Sequence, residues 1–142
     1  MDNQPIILER VFNAPIDKVW NALTNNEEMK IWYFQLPEFI PVIGFEFRFI
    51  GGPTADRQYL HICEITAVEP KKKLAHSWRY DGYDGISFVT WELWDEDSTT
   101  RLRLTHNGLE TFPHSNPDFA KENFEIGWAS ILDSSLGNYL ST

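Results

Sequence analysis

Histidines and a cysteine are the side chains of this sequence that are best suited to bind a metal ion or transfer a proton. His61, His76 and His106 each lie in a stretch where apolar and polar residues alternate, which is typical of a β-strand with one buried face. The alternation places all three histidines on the apolar faces of their strands, and Cys63 shares that face with His61. These side chains are therefore predicted to point into the protein.

The expected pairing of the strands decides whether the three histidines can meet at one metal ion. Counting outward from the predicted turns places His61 near Tyr80, His76 near Thr90 and His106 near Ser87. Residues along a strand are about 3.3 Å apart, so we expect the three histidines at different levels of the sheet. Zinc ligands must all lie about 2 Å from one ion. The sequence thus predicts no metal site, and it indicates no other cofactor.

Nucleophilic catalysis would need a serine or cysteine in contact with a histidine that a third group orients. The sequence shows no such set at a motif spacing, and no glycine-rich phosphate loop precedes a predicted helix. Glu64 and Glu92 lie on the opposite faces of their strands, so a pair of catalytic carboxylates is not expected. Two interpretations of an inward His76 or His106 stay open: a hydrogen-bonded core residue, or a general acid–base acting on a bound ligand.

The repeated sequence Tyr-Asp-Gly-Tyr-Asp-Gly, residues 80–85, lies between two alternating stretches. Asp and Gly are favoured where a hairpin needs positive φ angles. A calcium loop would need oxygen ligands at alternate positions and a distant bidentate glutamate, which Asp81 and Asp84 do not supply. The repeat is therefore predicted to be a hairpin turn whose tyrosines border any cavity.

The elements that position these residues are predicted to form one domain over residues 1–142. A first strand is predicted over Ile6–Phe12, and Pro15 suits the first turn of a following helix. A second short helix is predicted over residues 27–32. From residue 43 onward apolar residues recur at every second position, which predicts five more strands. The first lies around 45–49 and ends at Gly51-Gly52-Pro53, and the others cover 57–68, 74–80, 86–94 and 100–107. Their short connections favour an antiparallel meander.

The last third of the chain is predicted to be a long helix. Asn116 is a suitable N-cap and Pro117 suits the first helical position. A helix of about 24 residues spans roughly 36 Å, enough to cross a curved sheet. Its apolar face is predicted to consist of Phe124, Trp128, Ile131, Leu132, Ser135 and Tyr139. Gly127 is expected to let the helix lie close to what it covers.

Composition limits the partners and the location. Twenty-one acidic and twelve basic residues give a formal charge of −9, which repels phosphate backbones and anionic lipid, so no nucleic-acid partner is expected. No apolar run approaches the roughly 20 residues that cross a bilayer, so no membrane span is expected. The single cysteine excludes an internal disulfide and suits a reducing compartment. A cytoplasmic protein is the expectation.

Five stretches, in order, carry a resemblance to a known family. They are FNAPIDKVWNALTN (12–25), VIGFEFRF (42–49), ITAVEPKKKLAHSW (65–78), TRLRLTHNGLE (100–110) and GWASILDSSLGNYL (127–140). The chain resembles the helix-grip proteins of the START-like, or SRPBCC, superfamily, and within it the homologues of the activator of the heat-shock-protein-90 ATPase. The resemblance implies an α+β fold in which a curved antiparallel sheet of about six strands wraps around a long C-terminal helix. It also implies two short helices after the first strand, and a cavity between sheet and helix.

Aromatic residues make up 15% of the chain, and such rings line apolar cavities as well as fill cores. In the implied fold the cavity is expected to be lined by Trp32, Phe45, Phe47, His61, His76, Trp78, Tyr80, Trp91, His106, Phe124, Trp128 and Leu132. The alternative, that these rings fill the space completely, stays open at this point.

The predicted function is the binding of a small hydrophobic or amphipathic ligand, lipids included, in that cavity. A histidine such as His76 or His106, or a tyrosine, would fix its orientation. Two alternatives stay open. One is an interaction module for a chaperone, although the larger relatives stimulate the chaperone's ATPase through a further N-terminal domain that this sequence does not contain. The other is an aromatase-like or cyclase-like enzyme that uses His76 or His106.

Overall fold

A six-stranded antiparallel sheet is the largest element of the computed structural model, which describes residues 4–34 and 36–141, and of residue 53 the backbone. The strands are β1 Ile6–Phe12, β2 Glu46–Thr54, β3 Arg57–Glu69, β4 Lys73–Tyr80, β5 Ser87–Glu96 and β6 Thr99–Asn107. They lie in the order β1-β6-β5-β4-β3-β2, so β2 to β6 form a meander and β1 pairs with β6. The predicted strands and topology are confirmed, and the ends of β3 to β6 differ from prediction by one or two residues.

Two short helices follow β1, as predicted: α1 covers Ile16–Thr24 and α2 covers Asn26–Trp32. Asn25 caps α2, because its side chain accepts a hydrogen bond from the Glu28 amide. The indole N–H of Trp32 donates to the Ala22 carbonyl at 2.8 Å and so fixes α2 against α1. Buried side chains of both helices join the core that lies on one face of the sheet.

β2 is longer than predicted. It continues through Gly51 and Gly52 to Thr54, and its register with β3 shifts between Gly51 and Thr54. A Cβ atom at Gly52 would lie 1.8 Å from the Arg57 carbonyl oxygen. The glycine is therefore required by the close approach of the two strands at a bulge, and it does not mark the end of the strand.

The C-terminal helix begins later than predicted. Asn116 caps a separate 3₁₀ turn, Pro117–Phe119, by accepting a hydrogen bond from the Asp118 amide. Ala120 then adopts an extended conformation with ψ 140°, so the turn does not continue into the helix. The helix itself consists of α3 Lys121–Ser130, a π-helical segment Ile131–Leu136 and α4 Gly137–Leu140.

The buried stripe of this helix also differs from the predicted one. Its fully buried side chains are spaced by four residues: Trp128, Leu132, Leu136 and Leu140. In an α-helix of 3.6 residues per turn, every fourth residue drifts by about 40° around the axis. The π segment has a wider turn, closed by i→i+5 hydrogen bonds, and so keeps all four side chains facing the sheet.

Candidate functional site

An open cleft of about 480 Å³ lies between the C-terminal helix and the ends of β2, β3 and β4. Its volume is within the range of small-molecule sites, roughly 300–1,000 Å³. Its lining comprises Phe34, Gly51, Gly52, Arg57, Tyr59, His61, Trp78, Tyr80, Asp118, Phe119, Asn123, Phe124, Ile126, Gly127, Trp128 and Ile131. The cleft is therefore bordered by the sheet, by the 3₁₀ turn and by the helix.

Aromatic rings that rest on one another form most of the walls. The ring centroids of Trp78 and Trp128 are 5.4 Å apart, and Tyr80 stacks on Phe119 at 4.7 Å. Both indole N–H groups have acceptors inside the protein. Trp78 Nε1 donates to the Tyr80 hydroxyl oxygen and Trp128 Nε1 donates to His106 Nδ1, each at 2.9 Å.

His106 is fully buried and belongs to a chain of hydrogen bonds. Because an indole N–H is only a donor, His106 Nδ1 must accept from Trp128. His106 Nε2 therefore carries the proton and donates to Ser87 Oγ at 2.8 Å, while the Ser87 hydroxyl donates to the Trp78 carbonyl at 2.8 Å. Burial, with a smaller contribution from His76, lowers the pKa of His106 to about 3. His106 is thus a neutral core residue with both nitrogens occupied.

His76 and His106 lie at one level of the sheet, on either side of Val89. The predicted position of His76 opposite Thr90 is wrong by one residue, and the expectation of different levels is wrong for this pair. His76 donates from Nδ1 to the Ser77 carbonyl at 2.9 Å. Burial lowers the pKa of His76 to about 4.

His61 pairs with Tyr80, as predicted, and lines the cleft. Its ring stacks on Phe49 with centroids 4.4 Å apart and meets Trp78 edge to face at 5.0 Å. Its Nδ1 lies 3.0 Å from the Tyr59 carbonyl, to which it donates. Burial lowers the pKa of His61 to about 4, so the ring is a neutral part of the wall at neutral pH.

The structure does not bring all of the predicted cavity residues to the cleft. Five of them line it: His61, Trp78, Tyr80, Phe124 and Trp128. Four others, Trp32, Phe47, His76 and Trp91, border a space of only about 10 Å³, which has room for one water molecule at most. Phe45 is partly buried and packs near Phe39, while His106 and Leu132 are buried in the core. The interior is therefore filled beneath α2 and open beside α3.

Tyr59 and Asp118 form the polar part of the lining. The Tyr59 hydroxyl donates to Asp118 Oδ2 at 2.5 Å, and Asn116 Nδ2 donates to the Tyr59 oxygen at 3.1 Å. Arg57 lies 3.7 Å from Asp118 Oδ1. The hydrogen bond to Asp118 is the main cause that raises the pKa of Tyr59, followed by burial. This set, Arg57, Tyr59, Asn116 and Asp118, is called the polar cluster below.

Sequence reasoning missed much of this lining. The predicted long helix includes Asp118 and Phe119, although Asn-Pro is equally typical of a separate turn such as the one observed. Tyr59 and Phe34 carried no motif that set them apart from core residues. Gly127 was expected to permit close packing, but a Cβ atom there would have no atom within 4 Å. Gly127 instead forms part of the open cleft wall.

Residues 81–86 connect β4 to β5, so the prediction that the repeated Tyr-Asp-Gly sequence forms a turn is confirmed. Gly82 and Gly85 adopt φ angles of 82° and 101°, which favour glycine. Tyr80 lies in the cleft wall, and Tyr83 packs on Phe119 with centroids 5.1 Å apart.

A second groove of about 670 Å³ lies beside the β3–β4 turn. Its lining includes Lys71, Lys72 and Lys73 together with Glu69 and Glu92. The groove thus contains charges of both signs, and Trp94 is its aromatic residue among those described. The smaller cleft, with its packed rings, is therefore the candidate site.

The described residues contain neither a cluster suited to a metal ion nor a helix suited to a membrane. No group of three or more His, Cys, Asp or Glu side chains in residues 4–34 and 36–141 could hold a metal ion. Within the same ranges, no helix has the length and apolar character needed to span a membrane.

The curved antiparallel sheet, the long helix packed across it and the cleft between them define a helix-grip protein of the START-like superfamily, as predicted. The chain belongs to the family described as Activator of Hsp90 ATPase homolog 1-like protein, whose family model matches residues 13–141.

Several solved structures share the fold. Protein MLL2253 from Mesorhizobium loti is 27% identical over 97% of both chains, with a TM-score of 0.78. CalU16 from Micromonospora echinospora is 26% identical over 96% of this chain and 76% of its own, with a TM-score of 0.73. DynU16, from the dynemicin biosynthetic locus, is 22% identical over 100% of this chain and 48% of its own, with a TM-score of 0.79, and shows the fold alone. A comparison with curated proteins found no match.

Proposed function

We propose that the protein binds a small hydrophobic or amphipathic molecule in the cleft between the C-terminal helix and the ends of β2, β3 and β4. The observation that carries the proposal is an open volume of about 480 Å³ with packed aromatic walls, whereas the described space beneath α2 is filled. A flat apolar molecule placed there would be stabilised by about 25 cal/mol for each Å² of apolar surface removed from water. The family supports the proposal, since the resemblance implies ligands between sheet and helix.

An enzyme of the aromatase or cyclase kind is less well supported. It would need His76 or His106 to exchange a proton with the bound ligand. Neither residue is part of the cleft lining, and both nitrogens of His106 are engaged within the protein. The geometry favours binding over catalysis by these residues. A chaperone partner and a cytoplasmic location stay predictions that no feature of the cleft addresses.

Gly127 provides a way to close the cleft without disturbing the core. It lies in α3, and a side chain added there would enter open space. We expect Gly127→Trp to fold and to lower ligand affinity at least tenfold, because the indole would occupy the cleft. Gly127→Ala is the matched control. It should bind like the wild type and be more stable by about 1 kcal/mol, since alanine is the better helix former.

The measurement is an amide-resolved NMR titration with naphthalenemethanol, a flavonoid and a fatty acid. In the wild type we expect saturable shifts around Trp78, Tyr80 and Trp128 for at least the flat aromatic compounds. If a folded wild-type protein shows no saturable shift with any of the compounds, or if Gly127→Trp binds them equally well, the proposal is refuted.

A further inference from the structure

We propose that the cleft selects amphipathic ligands that present an amine or another hydrogen-bond donor to Asp118, and that it disfavours ligands that end in a carboxylate. This inference rests on the proposed function and names the class of ligand for the same cleft.

Asp118 has one carboxylate oxygen, Oδ1, that accepts no hydrogen bond from the described residues. Its side chain is only 11% exposed and lines the cleft. Oδ2 accepts the hydrogen bond from Tyr59. Among the described residues, the partner of Oδ1 is Arg57 at 3.7 Å, which is longer than a hydrogen bond. A donor on a ligand would therefore find an unfilled acceptor at the border of an apolar wall.

The rest of the polar cluster holds this carboxylate in place. Asn116 accepts from the Asp118 amide through Oδ1 and donates to the Tyr59 oxygen through Nδ2. The Tyr59 hydroxyl hydrogen is directed to Asp118, and the raised pKa of Tyr59 keeps that hydrogen in place at neutral pH. An acceptor that is already oriented loses little conformational entropy when a ligand binds.

The surrounding groups favour a positive charge over a negative one. The rings of Tyr59 and Phe119, with centroids 5.1 Å apart, belong to the same lining as Asp118, and aromatic faces attract cations. Arg57 is the one cationic residue of the described lining. Its side chain is 54% exposed, and the Asp118 carboxylate 3.7 Å away offsets its charge without a hydrogen bond. An incoming carboxylate would thus face Asp118 at short range and a net charge of −9 at long range.

Three probes with the same ring system test the inference: naphthylmethylamine, naphthalenemethanol and naphthoic acid, titrated at neutral pH by NMR. We expect the wild type to bind the amine at least tenfold more tightly than the acid, with the alcohol between them. Asp118→Asn retains an oxygen that can accept from Tyr59, and it should reduce the affinity for the amine to that for the alcohol. Asp133→Asn removes an equal charge that pairs with Arg10 outside the cleft, and it should leave the order unchanged.

Three results would overturn the inference. Equal affinity for all three probes would remove the selectivity while leaving the proposed function intact. Tighter binding of the acid, lost in Arg57→Gln, would show that the cleft is an anion site. Failure of every probe to bind the folded wild type would remove the proposed function itself, and the inference with it.

Discussion

The hydrogen bonds of His106 explain how a histidine can lie at the centre of an apolar core. A buried polar group is costly unless it is paired, and here each donor meets an acceptor. The chain runs from Trp128 on the helix to His106 on β6, then to Ser87 on β5 and to the Trp78 carbonyl on β4. It therefore links the helix to three strands and fixes the orientation of one wall of the cleft.

Ser87→Ala tests this chain. The substitution leaves His106 Nε2–H without its acceptor, and an unpaired buried donor costs about 1–3 kcal/mol. We expect the free energy of unfolding, measured by urea denaturation, to fall by that amount. Ser134→Ala, at an exposed position of the same protein, should change it by less than about 0.5 kcal/mol. Equal stability of the two variants would contradict the assigned hydrogen bonds.

For single residues, the sequence predicted which side chains are buried, but it did not predict their hydrogen-bond partners equally well. Alternation along the strands correctly placed His61, His76 and His106 inside. It did not show that His106 accepts a hydrogen bond from Trp128. That residue lies 22 residues away on a helix, and the sequence did not fix the rotation of this helix about its own axis. It also gave no signal for Asp118, which becomes part of the cleft only through the separate 3₁₀ turn.

The π-helical segment explains how leucines spaced by four residues can all face the sheet. Removing one residue from it, exposed Ser134, should restore a regular α-helix. The stripe would then follow spacings of four, three and four residues, which is the ordinary pattern of one buried helical face. We expect the deletion variant to fold with a melting temperature equal to or above that of the wild type.

Circular dichroism on heating measures that melting temperature, and the affinity of the cleft for a ligand is a second measurement. Ile131 belongs both to the π segment and to the cleft lining, so the deletion should alter ligand affinity while stability is kept. Deletion of Glu125, in the regular α3 upstream, is the control and should destabilise the protein, because it shifts Phe124 out of its packing. A strongly destabilised Ser134 deletion would show that the wide turn is required for folding.

Elements with a clear hydrophobic period were predicted well. β1 was predicted with its observed ends, and the meander followed from short turns alone. The failures occurred where one residue type fits two structures. Gly51 and Gly52 suit a strand end as well as a bulge, and Asn116 with Pro117 suits a helix start as well as a single turn. In both places the choice depends on contacts with distant residues, which a local pattern does not contain.

For the whole molecule, three buried histidines should make stability depend on pH. Burial lowers the pKa of His61 and His76 to about 4 and that of His106 to about 3, below the ordinary value of about 6.5. Between pH 6.5 and 4 the unfolded chain binds protons that the folded protein excludes. The free energy of unfolding should therefore fall as the pH decreases through this range, by up to about 1.4 kcal/mol per pH unit for each histidine.

Urea denaturation at several pH values between 7.5 and 4.5 measures this dependence. His106→Gln provides the comparison, because an amide can accept from Trp128 and donate to Ser87 without titrating. The free energy of unfolding of His106→Gln should fall less steeply with decreasing pH than that of the wild type, and the difference should equal the contribution of one histidine. A variant slope equal to that of the wild type would contradict the prediction.

Neither indole N–H of Trp78 and Trp128 is available to a ligand, because the Tyr80 oxygen and His106 Nδ1 already accept these two hydrogens. These two rings should therefore select a ligand by its thickness and outline, and Asp118 in the 3₁₀ turn should select it by hydrogen bonding. Different parts of the chain thus recognise the two properties of a ligand. The paired strands and the helix recognise its shape, and a short turn recognises its hydrogen-bonding groups. Relatives with the same fold should therefore be able to change the ligand that they bind through a few substitutions in that turn, without substitutions in the core.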